Sequence, residues 1–181
     1  MRFSTKSVAT ITVCIVAFFL IAFFFIPKFY LIKEPFFKMP INIKHGAIYA
    51  GDLPIRNDDY GEGDFHAKRR GGRKHLGLDL EKEIGSPVYA SKSGIAKFSS
   101  IPKGYGNLVV VNHLGGWQTR YGHLEKSTVN GTRWVNQGEK IGTVGKTGNA
   151  DIDEMKPHLH FEIRYKGEPV DPTEELKRRA E

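Results

Sequence analysis

Two histidines lie two positions apart in a segment where polar and apolar residues alternate, from His158 to Tyr165. Successive side chains of a β-strand point to opposite faces, so this alternation predicts a half-buried strand with His158, His160 and Glu162 on one face. On a helix the two imidazoles would diverge. Two interpretations are open for Glu162, a partner that orients one histidine or an exposed strand carboxylate. The two imidazoles are expected to stand side by side.

A second motif places His75 four residues before Asp79, with Gly77 between them. On a fully extended strand these two residues would be about 13 Å apart, but Gly77 allows the backbone to bend. A bent His75/Asp79 pair and one histidine of the predicted strand would supply three ligands and leave one coordination position open, which is typical of catalytic zinc sites. The only cysteine, Cys14, lies in an apolar N-terminal run, so any metal must be held by histidines and carboxylates.

A third motif, Tyr121-Gly122-His123-Leu124, ends a predicted strand that begins at Trp117. Its histidine is placed to approach the metal without binding it. The sequence has no His-Glu-x-x-His motif, whose glutamate serves as general base in many zinc peptidases. A hydrolytic mechanism would therefore need neutral imidazoles to take the proton or to stabilise the oxyanion.

The three motifs occur in the order found in lysostaphin-type (LytM-like) metallopeptidases, and the chain resembles that family over residues 48–172. The resemblance implies an antiparallel β-sheet domain with a groove and one zinc ion per domain. It implies that His75, Asp79 and His160 hold the zinc and that His123 and His158 are catalytic. Segments between the motifs are also similar, namely residues 85–90, 104–107, 135–142 and 145–148.

Members of this family generally cleave the peptide part of bacterial peptidoglycan. The resemblance therefore implies a zinc endopeptidase that hydrolyses peptide cross-links or stem peptides. The alternative is a non-catalytic protein of the same type that binds the wall or activates another hydrolase, and a third is a structural module of the envelope. The choice between a D-Ala to diaminopimelate bond and a glycine bridge stays open, as do the oligomeric state, the identity of the general base and whether the Asn57–Asp59 stretch covers the metal.

Beyond these motifs, the chain shows short β-type runs separated by glycine-rich turns, which predicts a mainly β fold. Gly115 and Gly116 are expected to form the turn of a hairpin. Asp171 and Pro172 are expected to begin a short C-terminal helix over residues 173–181. The predicted strands are Ser86–Ala90, Gly94–Ser99, Leu108–His113, Trp117–Tyr121, Lys140–Val144 and His158–Tyr165.

The N-terminal run Val8–Ile26 carries no charge, and as a helix it would span about 28 Å, the thickness of a bilayer core. No small-residue cleavage site follows it, so we expect an uncleaved transmembrane anchor after a short tail of residues 1–7. Residues 27–47, with three prolines, are expected to form an extended tether before a metallopeptidase domain at residues 48–172. This organisation predicts a single-pass protein of the bacterial inner (cytoplasmic) membrane with its domain on the periplasmic or extracytoplasmic side.

The net charge of +7 favours anionic surfaces, but no nucleic-acid-binding module accompanies it and nucleic acid is not an expected partner. The expected partners are the peptide substrate and the membrane. The basic run Lys68–Lys74 is interpreted as a solvated loop at the groove edge, with binding of wall or lipid anions as the alternative. His45, His66 and His113 lie outside the motifs and are expected to be surface or turn residues.

Overall fold

The computed structural model describes residues 10–22, 33–43 and 53–177. Two units divide the chain, Met1–Pro35 and Phe36–Glu181. In the first unit, residues 10–22 are helical. Among the described residues, no helix is both long enough and apolar enough to cross a membrane. The predicted anchor Val8–Ile26 includes residues 8–9 and 23–26, which lie outside the described ranges.

The second unit is built mainly from antiparallel strands, and its one helix in the described part is short. Three single turns of 3-10 helix, Arg70–Gly72, Leu114–Gly116 and Gly148–Ala150, interrupt the strands, and the helix is Pro172–Lys177. The strands are β1 (Asn57–Asp58), β2 (Gly61–Glu62), β3 (Leu78–Glu81), β4 (Pro87–Tyr89), β5 (Gly94–Ile101), β6 (Gly106–Asn112), β7 (Trp117–Gly122), β8 (Leu124–Ser127), β9 (Thr132–Val135), β10 (Lys140–Val144), β11 (His158–Tyr165) and β12 (Glu168–Val170).

The largest sheet has the strand order β12-β11-β7-β6-β5-β9, and β3 pairs with the N-terminal half of β11. A second sheet has the order β4-β10-β8, and β1 and β2 form a small hairpin. Because β11 lies between β3 and β7, its residue His160 is opposite Asp79 on one side and Gly122 on the other. The sheet register thus brings the three sequence motifs together, and the predicted mainly β, antiparallel fold is confirmed.

The core lies on the apolar face of β11. Leu159, Phe161 and Ile163 are fully buried there, and Tyr121 of β7 packs against Phe161 with ring centroids 5.4 Å apart. Burying each of these large side chains contributes about 1.5–3 kcal/mol, so this packing stabilises the strand whose opposite face carries the histidines. The predicted strand is confirmed with the same bounds, but it is not half-buried, because its first six residues are buried on both faces.

The predicted tether is too long at its C-terminal end. Phe37 and Ile41 are buried in the core, Ile41 bridges to Val88 of β4, and the backbone N of Lys38 donates to the carbonyl of Ser91 at 2.9 Å. These apolar side chains, which an extended tether would leave exposed, are buried against the β-sheets. Residues 36–43 therefore belong with the packed domain, upstream of the predicted boundary at residue 48.

The predicted hairpin and C-terminal helix are both present. Gly115 and Gly116 have φ of 76° and 82° in the turn between β6 and β7, a region that residues with a Cβ rarely adopt. The Asp171 carboxylate accepts a hydrogen bond from the backbone N of Thr173 at 2.8 Å and so caps the helix that begins at Pro172. Residues 178–181 of the predicted helix lie outside the described ranges.

Short strands were the elements that sequence patterns did not reveal. They are β1, β2, β3, β8, β9 and β12, none longer than four residues. Alternation over so few residues is a weak signal, and β3 was interpreted only as part of the bend between His75 and Asp79. Their pairing partners in the sheets decide their structure.

Candidate metal centre

The side chains of His75, Asp79 and His160 meet at one point. His75 Nε2 lies 3.0 Å from Asp79 Oδ1 and 3.0 Å from His160 Nδ1, and His160 Nδ1 lies 2.8 Å from Asp79 Oδ1. All three residues are buried. Two imidazole nitrogens and one carboxylate oxygen at these separations can reach a single zinc ion with bonds of about 2.0–2.2 Å.

A basic hairpin delivers His75 to this point. Lys68 and Lys74 form an antiparallel β-bridge, and the turn Arg70–Gly72 between them reverses the chain. The backbone N of His75 then donates to the carbonyl of Ala67 at 2.9 Å. The run Lys68–Lys74, predicted as a solvated loop at the groove edge, therefore also has a structural task. It holds the first residue of the His75/Asp79 motif in place.

Gly77 allows the chain to approach β11 closely between His75 and Asp79. A Cβ at this position would lie 2.3 Å from the carbonyl oxygen of Phe161, closer than real Cβ contacts allow. The sequence predicted that this glycine provides a bend, and the structure shows that it also provides space. Without that space β3 could not pair with β11 in the observed register.

Hydrogen bonds to the second ring nitrogen orient both histidines. His75 Nδ1 lies 2.8 Å from the carbonyl oxygen of Asp64, and because a carbonyl only accepts, Nδ1 carries the proton and Nε2 presents a lone pair. His160 Nε2 lies 3.0 Å from Glu162 Oε1, so Nε2 donates to the carboxylate and Nδ1 presents its lone pair. This arrangement of carboxylate, histidine and metal is common in zinc sites.

Three electron-pair donors therefore converge at this point. Asp79 Oδ1 and the two imidazole lone pairs would repel one another unless a positive charge lies at their centre. The same geometry favours a proton: burial lowers the pKa of His160, but hydrogen bonds to Asp79 and Glu162 outweigh burial and raise it to about 9. The donor set thus fits a divalent cation such as zinc.

Glu162 is a buried partner of His160, which decides between the two interpretations of this residue. Its carboxylate is fully buried and also receives hydrogen bonds from the Tyr105 hydroxyl at 2.5 Å and from Arg164 Nε at 2.7 Å. Burial raises the pKa of Glu162, but the hydrogen bonds from His160, Tyr105 and Arg164 lower it to about 2. Glu162 therefore stays ionised and can orient His160.

Replacing Glu162 by glutamine is expected to lower the affinity for zinc about 10- to 100-fold, because His160 loses its charged hydrogen-bond partner. The measurement is competition with a chromophoric chelator. Glu139→Gln is the matched control, since Glu139 is paired with Arg133 at the surface at 2.6 Å. Equal affinities for the two variants would show that Glu162 does not support the metal centre.

His123 and His158 flank the ligand cluster. Their rings lie 5.0 Å apart in an edge-to-face arrangement, the His123 ring lies 5.7 Å from that of His160, and His158 Nε2 lies 3.9 Å from Asp79 Oδ1. His123 links β7 to β8 with φ of 59°, an uncommon conformation for a residue with a Cβ and one that often occurs at functional sites. Both histidines are thus beside the ligands and outside the set of three.

Backbone carbonyls fix the protonation pattern of these two rings. His123 Nδ1 lies 2.8 Å from the carbonyl of Thr147, and His158 Nδ1 lies 2.8 Å from the carbonyl of Lys156. Each Nδ1 must therefore donate, and in the neutral ring Nε2 is left as an acceptor. Burial lowers the pKa of His158, and burial with repulsion from His160 and His158 lowers that of His123 to about 3.

The cluster opens into a groove of about 610 Å³. Both cationic and apolar side chains line this groove. Besides the five histidine and aspartate residues described above, the lining residues include Arg56, Tyr60, Arg69, Arg73, Lys74, Leu76, Tyr105, Asn149, Ala150, Ile152, Met155 and Glu162.

Sequence analysis missed the residues that contact the outer oxygen of the Asp79 carboxylate. Arg56 Nη2 and Arg69 Nη2 lie 3.1 and 2.9 Å from Asp79 Oδ2. No spacing rule connects Arg56 to Asp79, and the sequence places Arg69 only in a basic run. Tyr105, which donates to Glu162, lies in the segment 104–107, for which the sequence predicts no role.

The Asn57–Asp59 stretch does not supply a ligand atom to the cluster found among the described residues. Asp58 instead pairs with Arg56 and accepts a hydrogen bond from the backbone N of Lys156 at 3.1 Å. These two contacts hold the β1–β2 hairpin beside the groove.

The remaining histidines lie away from the ligand cluster. His66 is exposed, as predicted. His113 is partly buried, with Nδ1 2.9 Å from the carbonyl of Ser93 and Nε2 2.9 Å from Thr119 Oγ1, which is a structural role at the start of the predicted turn. His45 lies outside the described residues.

The model of peptidase family M23 matches residues 73–172, more than half of the chain. This protein belongs to peptidase family M23. The matched region contains all five predicted site residues, begins after Arg56 and Arg69, and lies within residues 48–172, over which the chain resembles lysostaphin-type enzymes.

Individual relatives agree with this assignment. The DD-carboxypeptidase/endopeptidase Mpg of Neisseria meningitidis serogroup B is 43% identical over 102 residues, covering 56% of this chain and 22% of Mpg. The chain spans less than half of the length of such curated relatives, between 18% and 40%.

Two solved structures have the same fold. A zinc-containing peptidase from Vibrio cholerae superposes with a TM-score of 0.58 at 31% identity, covering 76% of this chain and 39% of that one. The catalytic domain of the antimicrobial peptidase lysostaphin from Staphylococcus simulans superposes with a TM-score of 0.56 at 31% identity, covering 74% of this chain and 99% of the domain.

Proposed function

We propose that this protein is a zinc-dependent endopeptidase that hydrolyses peptide cross-links or stem peptides of bacterial peptidoglycan. One observation carries the proposal: three electron-pair donors from His75, Asp79 and His160 converge in a groove beside two histidines whose protonated nitrogens are both turned to backbone carbonyls. Membership of peptidase family M23 and the names of the relatives support peptide hydrolysis.

His75, Asp79 and His160 would hold the zinc ion through Nε2, Oδ1 and Nδ1. Bound there, zinc would polarise the scissile carbonyl and lower the pKa of water toward ~7. The carbonyl of Asp64 and the carboxylate of Glu162 keep the two ligand histidines in the required tautomers. The protein thus contributes a ligand set whose three members already lie together.

His123 and His158 would handle the proton and the developing negative charge. Because Nδ1 of each ring donates to a carbonyl, each Nε2 can accept a proton and, once protonated, can donate a hydrogen bond to an oxyanion. Peptide hydrolysis needs both operations. Two imidazoles beside the ligands, with an interplanar angle of 74°, would allow one ring to perform each operation.

Incubation of the full-length protein with purified peptidoglycan tests the proposal. We expect soluble muropeptides to be released, with no release after treatment with a chelator and recovery on addition of zinc. Mass spectrometry of the fragments identifies the bond, because a cut D-Ala to diaminopimelate cross-link and a cut glycine bridge leave different termini. Zinc binding without any release of fragments would instead support the non-catalytic wall-binding or hydrolase-activating role.

We also infer that Val8–Ile26 anchors the protein in the inner (cytoplasmic) membrane as a single pass, with Met1 inside and the domain on the periplasmic or extracytoplasmic side. The uncharged length of this run and the location of peptidoglycan support the inference. The full-length protein is expected in the membrane fraction after a high-salt wash, with its domain accessible to protease from outside. A mature N-terminus after residue 26 would identify a cleaved signal peptide instead.

A further inference from the structure

The two oxygens of the Asp79 carboxylate have different partners. Oδ1 lies at the ligand cluster, 3.0 Å from His75 Nε2 and 2.8 Å from His160 Nδ1. Oδ2 is turned away and receives hydrogen bonds from Arg56 Nη2 at 3.1 Å and Arg69 Nη2 at 2.9 Å. The carboxylate is therefore divided between a metal-facing oxygen and an arginine-facing oxygen.

Both arginines come from outside the region that matches the family model, residues 73–172. Arg56 immediately precedes β1, and Arg69 lies in the basic hairpin before His75. Arg56 is almost fully buried, with an exposed fraction of 2%, whereas the Arg69 side chain is 21% exposed. The segment that completes the contacts of Asp79 is thus upstream of the shared domain.

The backbone holds Arg56 against Asp79 independently of the side chains. The N of Arg56 donates to the carbonyl of Asp79 at 2.8 Å, the N of Asp79 donates to the carbonyl of Gly63 at 2.8 Å, and the N of Gly63 donates to the carbonyl of Arg56 at 2.7 Å. A Cβ on Gly63 would lie 2.8 Å from two of these oxygens, so only glycine fits. This ring of hydrogen bonds fixes the point from which the guanidinium reaches Oδ2.

A carboxylate and a backbone carbonyl orient the guanidinium groups of Arg56 and Arg69. Asp58 pairs with Arg56 Nη1, and the carbonyl of Glu62 accepts from Arg69 Nη1 at 2.5 Å. These contacts orient both guanidinium groups so that one N–H group of each points at Asp79 Oδ2. Charge-assisted bonds of this kind are stronger and more directional than those between neutral groups.

A carboxylate can bind a metal through one oxygen or through both. Two guanidinium donors on Oδ2 satisfy that oxygen and leave only Oδ1 for an ion. Single-oxygen ligation keeps the coordination number low and leaves space for water and substrate, as a catalytic site requires. The contacts of Arg56 and Arg69 match this requirement.

We propose that Arg56 and Arg69 are positioning residues that restrict Asp79 to ligation through Oδ1, so that the segment upstream of residue 73 completes the metal centre. The inference rests on the proposed function, in that it takes His75, Asp79 and His160 as the metal ligands. The arginines act on the metal through Asp79 and do not contact the reacting groups.

The test uses the full-length protein in detergent, loaded with Co²⁺ in place of zinc. The intensity of the visible absorption of Co²⁺ is high for four-coordinate and low for five- or six-coordinate sites, so it reports ligation directly. In Arg56→Gln and in Arg69→Gln the intensity is expected to fall, and metal affinity, measured by chelator competition, is expected to fall about 10-fold or more. Arg69→Lys keeps the charge and is expected to recover part of the affinity.

Arg133→Gln is the control, because it removes a surface ion pair with Glu139 without touching the groove. Thermal unfolding with chelator present shows whether each variant is folded. If Arg56→Gln folds poorly because Arg56 is the more buried arginine, Arg69→Gln still tests the proposal. Wild-type spectra and affinities in both glutamine variants would overturn the role of the arginines alone. Failure of the wild-type protein to bind Co²⁺ would overturn the metal centre and this inference with it.

Discussion

The full-length Asp79→Ala and His160→Ala proteins are expected to contain almost no zinc after purification, and the wild type is expected to contain about one ion per chain. Each variant retains only two of the three ligand atoms at the cluster, and an open site with two protein ligands holds zinc poorly. Peptidoglycan hydrolysis should fall to background in both, because the residual site can neither polarise the carbonyl nor acidify water. Atomic emission analysis and muropeptide release provide the two measurements.

Folding must be separated from metal loss in this experiment. Asp79→Ala removes the carboxylate shared by Arg56 and Arg69, and although Asp58 still pairs with Arg56, losing a buried ion-pair partner is expected to destabilise the fold. Circular dichroism and thermal unfolding with chelator present show whether each variant is folded. His66→Asn is the control, since it removes an exposed histidine at φ of 63°, a conformation that asparagine tolerates. Undiminished zinc in both His160→Ala and Asp79→Ala would refute the ligand assignment.

Replacing His123 or His158 by alanine is expected to lower the rate of hydrolysis at least ~100-fold while zinc content stays near that of the wild type. Neither side chain belongs to the ligand set, and both keep Nδ1 on a backbone carbonyl and Nε2 available for chemistry. Proton transfer and oxyanion contacts are each typically worth a factor of ~10² or more. Single-turnover rates on purified peptidoglycan, together with metal analysis of the same samples, make the comparison.

The double variant distinguishes two cooperating groups from two independent ones. If His123 and His158 act on the same transition state, their combined loss should be smaller than the product of the single losses. If His158→Ala loses zinc and His160→Ala retains it, then His158 is the metal ligand and His160 is the catalytic residue, the reverse of the proposed roles. A His123→Ala protein with near-normal activity would remove that residue from the mechanism.

Local sequence patterns determined the parts of this protein that depend on near neighbours. Alternation over His158–Tyr165 predicted β11 with its bounds, because among regular secondary structures only a β-strand repeats its side-chain direction every two residues. Paired glycines predicted the β6–β7 turn, because the positive φ values of such a turn cost glycine little free energy. The three motifs placed five candidate residues in one site, and the family assignment follows the same residues.

Tertiary structure alone decided which groups surround those residues. Glu162 could be exposed or buried by its sequence pattern, and the pairing of β11 with both β3 and β7 buries it. Arg56 reaches Asp79 across 23 residues through backbone hydrogen bonds that no local pattern encodes. Phe37 and Ile41 looked like part of a tether, yet they pack into the core. Apolar burial and buried-charge pairing depend on what the rest of the chain brings into contact, so they become definite only when the sheets are assembled.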